Sequence, residues 1–393
     1  MPKSLPELAD EYRRELLDQV VPFWEQYSLD RVHGGYFTCL RPDGRVFDTD
    51  KFVWLQARQV WTFATLHRRV DAGRGWLEVA RHGADFLERY GRAPMGGWYF
   101  SLTQAGEPLV VPYNIFSDCF AAQAFGQLYQ ATGEERYGTL ARETFTAILA
   151  RRDTPKGQWS KAIAGTRPLK NFALPMILCN LALEIESLLE PEMVQRLTDE
   201  CLREVMTVFL DEETGLLLED VHPDGSRSDS FEGRLLNPGH AIEAMWFVMD
   251  LAERRRDTEL LHRAKDLTLR TLEYSWDTEH GGVFYFLDRL GQPPQQLEWD
   301  QKLWWVHLET LIALLKGYHH TGDARCLEWF HRVHDYTWKH FRDSEQGGEW
   351  YGYLNRRGEV LLDLKGGKWK GCYHVPRALV QCWWELDELG GRR

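Results

Sequence analysis

The chain alternates between segments whose apolar residues recur at helical spacing and short segments rich in glycine and aromatic residues. In residues 52–69, FVWLQARQVWTFATLHRR, recurrence at three- and four-residue intervals predicts a helix with one face that carries Trp54, Arg58, Trp61 and Thr65. Two more helices are predicted at 117–132 and 301–321, since in each the pattern stops before a glycine.

A Gly-Gly-aromatic segment followed by a turn recurs between the helices. Four clear copies begin at His33, Met95, His280 and Gln346, and two weaker ones at Lys156 and Thr214. Aromatic or β-branched residues alternate before a turn such as Pro-Asp-Gly, which predicts a short β-hairpin in each copy. The copies lie roughly 60 residues apart, which leaves room for two helices per unit.

Six such units and an N-terminal helix account for the whole length. We therefore predict an all-α fold, an (α/α)6 barrel of six helical hairpins with short β-hairpins at one end. A solenoid is the alternative, but it would expose two capped ends. Because no Pro- or Ser-rich linker interrupts the pattern, residues 1–393 are predicted to form one domain with its site at the barrel mouth.

Composition narrows the classes of ligand. The chain has 47 basic and 59 acidic side chains and a net charge of −12, which disfavours a nucleic-acid partner, because a phosphate backbone requires clustered Lys and Arg. No run approaches the roughly 18 apolar residues of a membrane span. The seven cysteines, an odd number without CxxC pairs, predict a reduced, cytoplasmic location. Aromatic residues, 13% of the chain, either fill the core or form stacking walls of a sugar site.

The common sequence motifs of P-loop, zinc-protease, serine-hydrolase and dinucleotide sites are missing. His319 and His320 make a poor chelate, since neighbours on a helix diverge by about 100°. No metal site is predicted. What remains is a set of polar side chains within apolar or aromatic runs.

Two histidines stand at predicted helix starts beside aromatic residues. In LNPGHAIEAMWF, Asn237 is placed to cap a helix whose first turn contains His240, and Glu243 shares the face of that histidine. The helix dipole there disfavours imidazolium, which predicts a neutral base. In GGKWKGCYHVPRAL, His374 again precedes a helix start, and Trp369 lies in a Gly-rich loop able to approach a ligand. In a closed barrel both histidines would face one mouth; the alternative is a structural role, with His240 bonded to Glu243.

Two predicted helices carry charged side chains on the same face as aromatic residues. Arg58 lies between two tryptophans, which is costly unless it binds a ligand or pairs with a core carboxylate such as Asp118 or Glu309. In QKLWWVHLETLI, a shared face of the predicted helix carries Lys302, Trp305 and Glu309, and these three residues are predicted to bind substrate.

Three residues of VPYNIFSDCF, Tyr113, Asn114 and Asp118, either line the same mouth or satisfy loop backbone. His307 points away from the shared face of its helix and is predicted to be structural.

Opposed imidazoles, an arginine, carboxylates and tryptophan walls suggest carbon-acid chemistry on a sugar. One base removes a proton beside a carbonyl, and a conjugate acid returns one on the other face. Imidazole suits both roles because its ordinary pKa is near 6.5. The intermediate anion needs donors such as Arg58 and helix N-termini. These steps require no metal or redox cofactor.

At these residues the sequence resembles the N-acylglucosamine 2-epimerase (renin-binding protein) family. The likeness spans nearly the full chain and is carried by residues 54–63, 236–247, 302–311 and 370–379. It implies an (α/α)6 barrel and reversible C2 epimerisation of N-acetyl-D-glucosamine and N-acetyl-D-mannosamine in the ring-opened form. It also implies that the catalytic pair is His240 and His374, and that substrate contacts come from Arg58, Glu243, Glu309, Trp305 and Trp369.

Cellobiose 2-epimerases and mannose isomerases are similar in the same motifs but act on unmodified sugars. Asn171 is kept and is predicted to bind substrate, but Pro175 stands where the cellobiose enzymes carry a further histidine in the following helix. This departure favours the N-acyl branch. Members of that branch are often homodimers, and several are activated by ATP as an effector that is not consumed, which makes a homodimer and an ATP effector the corresponding expectations here.

Three other functions stay open at this point. One is epimerisation or isomerisation of unmodified sugars. Another is an α/α-barrel glycoside hydrolase or lyase that uses two carboxylates among Asp118, Glu243 and Glu309. The third is a binding protein that keeps the barrel without catalysis, although a binder has no need of two opposed bases.

Overall fold

The structure, a computed structural model, describes residues 3–163 and 165–391. In chain order the α-helices of this part are α1 (Leu5–Arg14), α2 (Val21–Tyr27), α3 (Val53–Arg69), α4 (Trp76–Phe86), α5 (Phe116–Thr132), α6 (Glu135–Arg151), α7 (Ala173–Glu184), α8 (Pro191–Arg203), α9 (Phe231–Arg234), α10 (Pro238–Arg255), α11 (Thr258–Ser275), α12 (Trp304–Thr321), α13 (Ala324–His340) and α14 (His374–Leu389). The three helices predicted from spacing are α3, α5 and α12, and α5 and α12 end at left-handed Gly133 and Gly322 as expected.

The strands are two or three residues long. They are β1 (Cys39–Leu40), β2 (Val46–Asp48), β3 (Lys51–Phe52), β4 (Ser101–Leu102), β5 (Pro108–Val110), β6 (Lys170–Asn171), β7 (Leu210–Asp211), β8 (Leu216–Leu217), β9 (Asp220–Val221), β10 (Leu235–Leu236), β11 (Leu287–Asp288), β12 (Lys302–Leu303), β13 (Tyr353–Leu354) and β14 (Val360–Leu362). All pairings between them are antiparallel.

The long helices form two concentric rings. The inner ring follows the order α3, α5, α7, α10, α12 and α14, each helix packing on the next. The outer helices α4, α6, α8, α11 and α13 each pack on the inner helix that precedes them. Inner helices are buried almost all round, as in α12, whereas outer helices bury one face. The predicted (α/α)6 barrel is confirmed.

The inner ring is closed, which excludes a solenoid. The Thr62 hydroxyl on α3 donates to the Cys372 carbonyl just before α14 at 2.8 Å, and the ring centroids of Trp61 and Tyr373 lie 5.1 Å apart. The outer partner of α14 is α1. The sixth hairpin therefore joins the last helix to the first, whereas the repeat length suggested six complete units plus a separate N-terminal helix.

The predicted β-hairpins are only partly as expected. The copies that begin at His33, Met95 and Gln346 form the hairpins β1–β2, β4–β5 and β13–β14. The copy at Thr214 pairs β8 with β7, the strand before its glycine, and the copy at His280 pairs β11 with β10. The weak copy at Lys156 has a 3₁₀ turn, Gly157–Trp159, in place of a strand pair, and its residue 164 lies outside the described residues.

A buried ion pair repeats in three of the units. Its lysines precede an inner helix and its aspartates precede a Gly-Gly pair, in the combinations Lys51–Asp30 (2.8 Å), Lys302–Asp277 (3.1 Å) and Lys365–Asp343 (2.7 Å). Each aspartate also accepts two backbone N–H groups of the turn before its glycines. Each ion pair links the residues just before an inner helix to the turn ahead of a Gly-Gly pair. The buried charges are stable there because each has an oppositely charged partner and hydrogen bonds.

No helix within residues 3–163 and 165–391 combines the length and apolar character needed to cross a bilayer. All seven cysteines are buried free thiols.

Candidate active site

A cavity of about 600 Å³ opens at the end of the barrel where the inner helices begin. Its walls come mainly from the N-terminal halves of all six inner helices and from loop residues that include Phe100, Tyr285, Glu298 and Trp369. Helix N-termini carry partial positive charge, so six helix starts around one mouth favour an anionic ligand or intermediate. The site predicted at the barrel mouth corresponds to this cavity.

Most of the predicted site residues meet in this cavity. Those that line it are Arg58, Asn114, His240, Glu243, Trp305, Trp369 and His374. Glu309 is fully buried directly behind His374. Tyr113, Asp118, Asn171 and Lys302 do not line it.

His240 is held at the start of α10 by contacts on two sides. The Asn237 side chain accepts from the His240 backbone N–H at 3.2 Å, as predicted for the helix cap. The imidazole Nδ1 lies 3.0 Å from Glu219 Oε1, so Nδ1–H donates to this carboxylate and Nε2 is left for the cavity. Glu243, the predicted partner, instead hydrogen-bonds to Arg377.

The charge state of His240 is set by Glu219. Burial opposes the imidazolium, but attraction to the Glu219 carboxylate and the hydrogen bond to it outweigh burial and raise the pKa of His240 above its ordinary value. The direction of this shift is opposite to the one predicted from the helix dipole alone.

Trp305 packs against both histidines. Its ring centroid lies 5.4 Å from that of His240 and 5.9 Å from that of His374. The indole approaches α10 closely because residue 239 is glycine: a Cβ there would lie 2.5 Å from a carbon of the Trp305 ring. The glycine of the NPGH sequence thus allows this tryptophan to pack beside His240.

His374 is the first residue of α14 and is buried. Its Nδ1 lies 2.7 Å from Glu309 Oε1, which again leaves Nε2 for the cavity. Burial, followed by the positive charges of Arg58 and Arg377, holds the pKa of His374 well below its ordinary value. This histidine is neutral near pH 7.

The two His–Glu pairs differ because their carboxylates differ. Glu309 also accepts from Arg377 at 2.6 Å and from the Trp246 indole N–H at 3.0 Å, so its charge is already compensated. Glu219 accepts a long hydrogen bond from the Asn171 amide at 3.4 Å and, within the described residues, pairs with no lysine or arginine. Glu219 therefore favours a charged imidazole, and Glu309 does not.

Arg377 occupies the one spot in the cavity that resembles a metal site. Glu243, Glu309 and His374 bring ligand-type atoms within 4.8 Å of one another. Arg377 Nη2 hydrogen-bonds to Glu243 and lies 2.6 Å from Glu309 and 3.3 Å from His374 Nδ1. The guanidinium thus fills the position of a cation, and these donors do not fit a metal ion. Both carboxylates are committed to Arg377, so neither is placed as the proton donor of a glycoside hydrolase.

Arg58 is held by aromatic faces. Its guanidinium carbon lies 4.4 Å, 3.9 Å and 4.6 Å from the ring centroids of Trp54, Phe120 and Tyr373. No carboxylate pairs with it among residues 3–163 and 165–391, so the predicted alternative of a core ion pair is wrong. Burial lowers the pKa of Arg58 to about 10, which leaves it charged at neutral pH and available to an anion in the cavity.

Two residues of the VPYNIFSDCF segment point away from the cavity. Asp118 is buried against the outer helix α6, where it accepts from Arg151 at 2.8 Å. Tyr113 packs on Phe100 with ring centroids 5.0 Å apart. Asn114 lines the cavity, and its Oδ1 accepts from the Phe116 backbone N–H at 3.1 Å, so both predicted roles apply to it.

Lys302 and Asn171 have structural partners. Lys302 lies in β12 ahead of α12, and its ion pair with Asp277 is the repeated one described above, so the prediction that it binds substrate is wrong. Asn171 Oδ1 accepts from the backbone N–H of Ala173, the first residue of α7, at 3.0 Å, and its amide lies 3.3 Å from the Glu219 carbonyl oxygen. It contributes to the site only through Glu219. His307 is buried with both ring nitrogens bonded to backbone, which confirms its structural role.

Glu219 and Arg377 are functional residues that the sequence analysis missed. Arg377 lies one turn after His374 in an otherwise apolar helix start, a signal of the same kind as Arg58. Glu219 precedes β9 in a segment interpreted only as a hairpin, and nothing in its spacing connects it with His240.

The architecture places the chain in the class of (α/α)6-barrel proteins. It is similar to the solved structure of a cellobiose 2-epimerase from Bacillus thermoamylovorans, with a TM-score of 0.83, 21% identity and coverage of 96% of this chain and 99% of that chain. In sequence it is 42% identical to an N-acylglucosamine 2-epimerase of Mus musculus (93% of this chain, 89% of the relative) and 42% identical to one of Bos taurus (99% and 94%). The sequence model of N-acylglucosamine 2-epimerase (GlcNAc 2-epimerase) matches residues 35–378, and the chain belongs to this family. It is therefore an enzyme of the epimerase type, within the isomerase class.

Proposed function

We propose that this protein interconverts N-acetyl-D-glucosamine and N-acetyl-D-mannosamine by epimerisation at C2 of the ring-opened sugar. The observation that supports this most strongly is the pair His240 and His374, which line one cavity against the same indole with opposite preferences for a proton. The relatives that are 42% identical over most of the chain are named for this type of activity.

The chemistry consists of two proton transfers. Neutral His374 accepts the C2 proton through Nε2, the C–H electron pair forms a C1–C2 double bond, and the carbonyl oxygen becomes an enolate oxygen. Arg58 and the helix N-termini stabilise that oxygen. Protonated His240 then donates to the opposite face of C2, and the carbonyl re-forms. The histidines exchange protons with solvent before the next turnover, and the reverse reaction uses them in exchanged roles.

These transfers call for no cofactor, since imidazoles and Arg58 supply each function. Activation by ATP without its consumption, assembly into a homodimer and a cytoplasmic location stay predictions from the family resemblance and from the cysteine content.

Conversion of either N-acetyl sugar in D2O is expected to place deuterium at C2 of the product, because the returned proton comes from an imidazole in exchange with solvent. Proton NMR of parallel reactions with N-acetylmannosamine, glucose, mannose and cellobiose measures both label and substrate preference. Unlabelled product, or no conversion of an N-acetyl sugar, would count against the proposal. Faster conversion of the unmodified sugars would support the cellobiose or mannose alternative.

Glu219→Gln is expected to move the alkaline limb of the kcat/KM profile to lower pH. Removal of the carboxylate lowers the pKa of His240, so the imidazolium that donates to C2 is lost at a lower pH. The profile is measured in the direction for which His240 is the donor. Glu213→Gln, at an exposed glutamate of the same region, serves as the control and should leave both limbs in place. An unchanged alkaline limb in Glu219→Gln would refute the role given to this contact.

A further inference from the structure

One wall of the cavity is apolar, whereas the other walls carry charge. Helices α5 and α7 contribute mainly Phe116, Cys119, Phe120, Met176, Ile177 and Leu181, which together are called the α5–α7 wall. Both histidines and most of the charged groups come from α3, α10 and α14, and Glu298 adds a carboxylate from the segment before α12. Proton transfer between the imidazoles and C2 makes no use of the α5–α7 wall, so this surface has another task in binding.

The α5–α7 wall lies across the cavity from Trp305 and His374. In a ring with the order α3, α5, α7, α10, α12 and α14, helix α5 is opposite α12 and helix α7 is opposite α14. Trp305, on α12, closes the space between the two imidazoles on its own side. That space therefore opens toward the α5–α7 wall.

The stereochemistry of C2 inversion directs one substituent to this opening. The imidazoles must lie above and below the enolate plane, so C1, C3 and the nitrogen on C2 all lie within the plane. Arg58 takes the oxygen on C1, and C3 begins a chain of hydroxyl groups. Only the nitrogen carries an apolar group, and an apolar wall stabilises a methyl group by removing it from water.

One amide stands within the apolar surface. Asn180, on α7 one turn beyond Met176, lines the cavity, and its side chain makes no hydrogen bond within residues 3–163 and 165–391. A carboxamide both donates and accepts, which matches the carbonyl and N–H of a secondary amide. We propose that the α5–α7 wall and Asn180 form the subsite for the N-acyl group and set its permitted length, an inference that rests on the proposed function.

Ile177→Ala tests the wall with N-acetylmannosamine and N-propanoylmannosamine as competing probes. Removing three side-chain carbons makes room for one extra carbon on the substrate, so the kcat/KM ratio of N-propanoyl to N-acetyl substrate is expected to rise about tenfold. Asn180→Ala should raise KM about tenfold for both probes with little change in kcat, since one hydrogen bond to the amide is lost. Leu178→Ala is the matched control, because Leu178 is buried on the same helix and does not line the cavity. It should leave the ratio unchanged.

The outcomes separate this inference from the proposed function. If the unaltered enzyme converts neither probe, the proposed function itself fails. If it converts both, and Ile177→Ala and Leu178→Ala give the same ratio, the N-acyl group does not lie on the α5–α7 wall. A fall in kcat without a rise in KM for Asn180→Ala would remove that residue from the subsite. Should Ile177→Ala not fold, Ile177→Val must show a smaller shift in the same direction.

Discussion

His240→Asn and His374→Asn are each expected to lower kcat for epimerisation by about 1000-fold, because each variant lacks the proton donor or acceptor on one face of C2. Asparagine is of similar size and can still donate to Glu219 or Glu309, so the fold should persist. Turnover is measured by NMR and folding by thermal melting followed by circular dichroism. His262→Asn, at an exposed position of α11, is the control with unchanged turnover.

Hydrogen exchange without inversion makes this test sharper. Each variant keeps one base, so it should still exchange the C2 hydrogen of one epimer with deuterium while the configuration is retained. The two variants should act on opposite epimers, because their remaining bases face opposite sides of C2. Exchange of the same epimer by both variants, or inversion at the original rate by either, would contradict the two-base arrangement.

Arg377→Met is expected to lower the free energy of unfolding by about 3–5 kcal/mol, because it leaves two buried carboxylates, Glu243 and Glu309, without their shared cation. The measurement is urea unfolding at neutral pH. Glu243→Gln in the Arg377→Met background should recover part of the loss by removing one of the two like charges.

Arg254→Met provides the matched control for this loss. Arg254 pairs with Glu186 at the surface, where the two side chains are 46% and 39% exposed, so its replacement should cost less than about 1 kcal/mol. Equal losses for the two variants would show that burial of the Arg377 cluster carries no special weight in stability.

The fold was largely predictable because its pattern is local and repeated. The spacing of apolar residues, the glycines that end helices and the Gly-Gly segments can each be recognised from residues close together in the sequence. Six units of similar length can form only a few kinds of closed fold. The separate N-terminal helix was interpreted wrongly because its pairing with α14 joins opposite ends of the chain. A contact between residues so far apart in the sequence has no effect on the local spacing of apolar residues.

Residues of the candidate site could be predicted only where their position at the start of a predicted helix was informative. His240 and His374 both stand at the start of an inner helix, and all inner helices begin at one end, so equivalent settings meet in space. Lys302 was assigned wrongly because it was judged alone, although Lys51 and Lys365 occupy equivalent positions with equivalent aspartates. Glu219 and the proton preference that it gives His240 arise from a contact between distant segments.

The union of α1 with α14 has a consequence for biosynthesis. A ribosome releases α1 before α14, so the double ring stays an open arc until α14 is made. His374 sits on the closing helix and joins His240 only after the whole of α14 has emerged. The contacts that bring the two histidines to one cavity therefore form only once the ring can close.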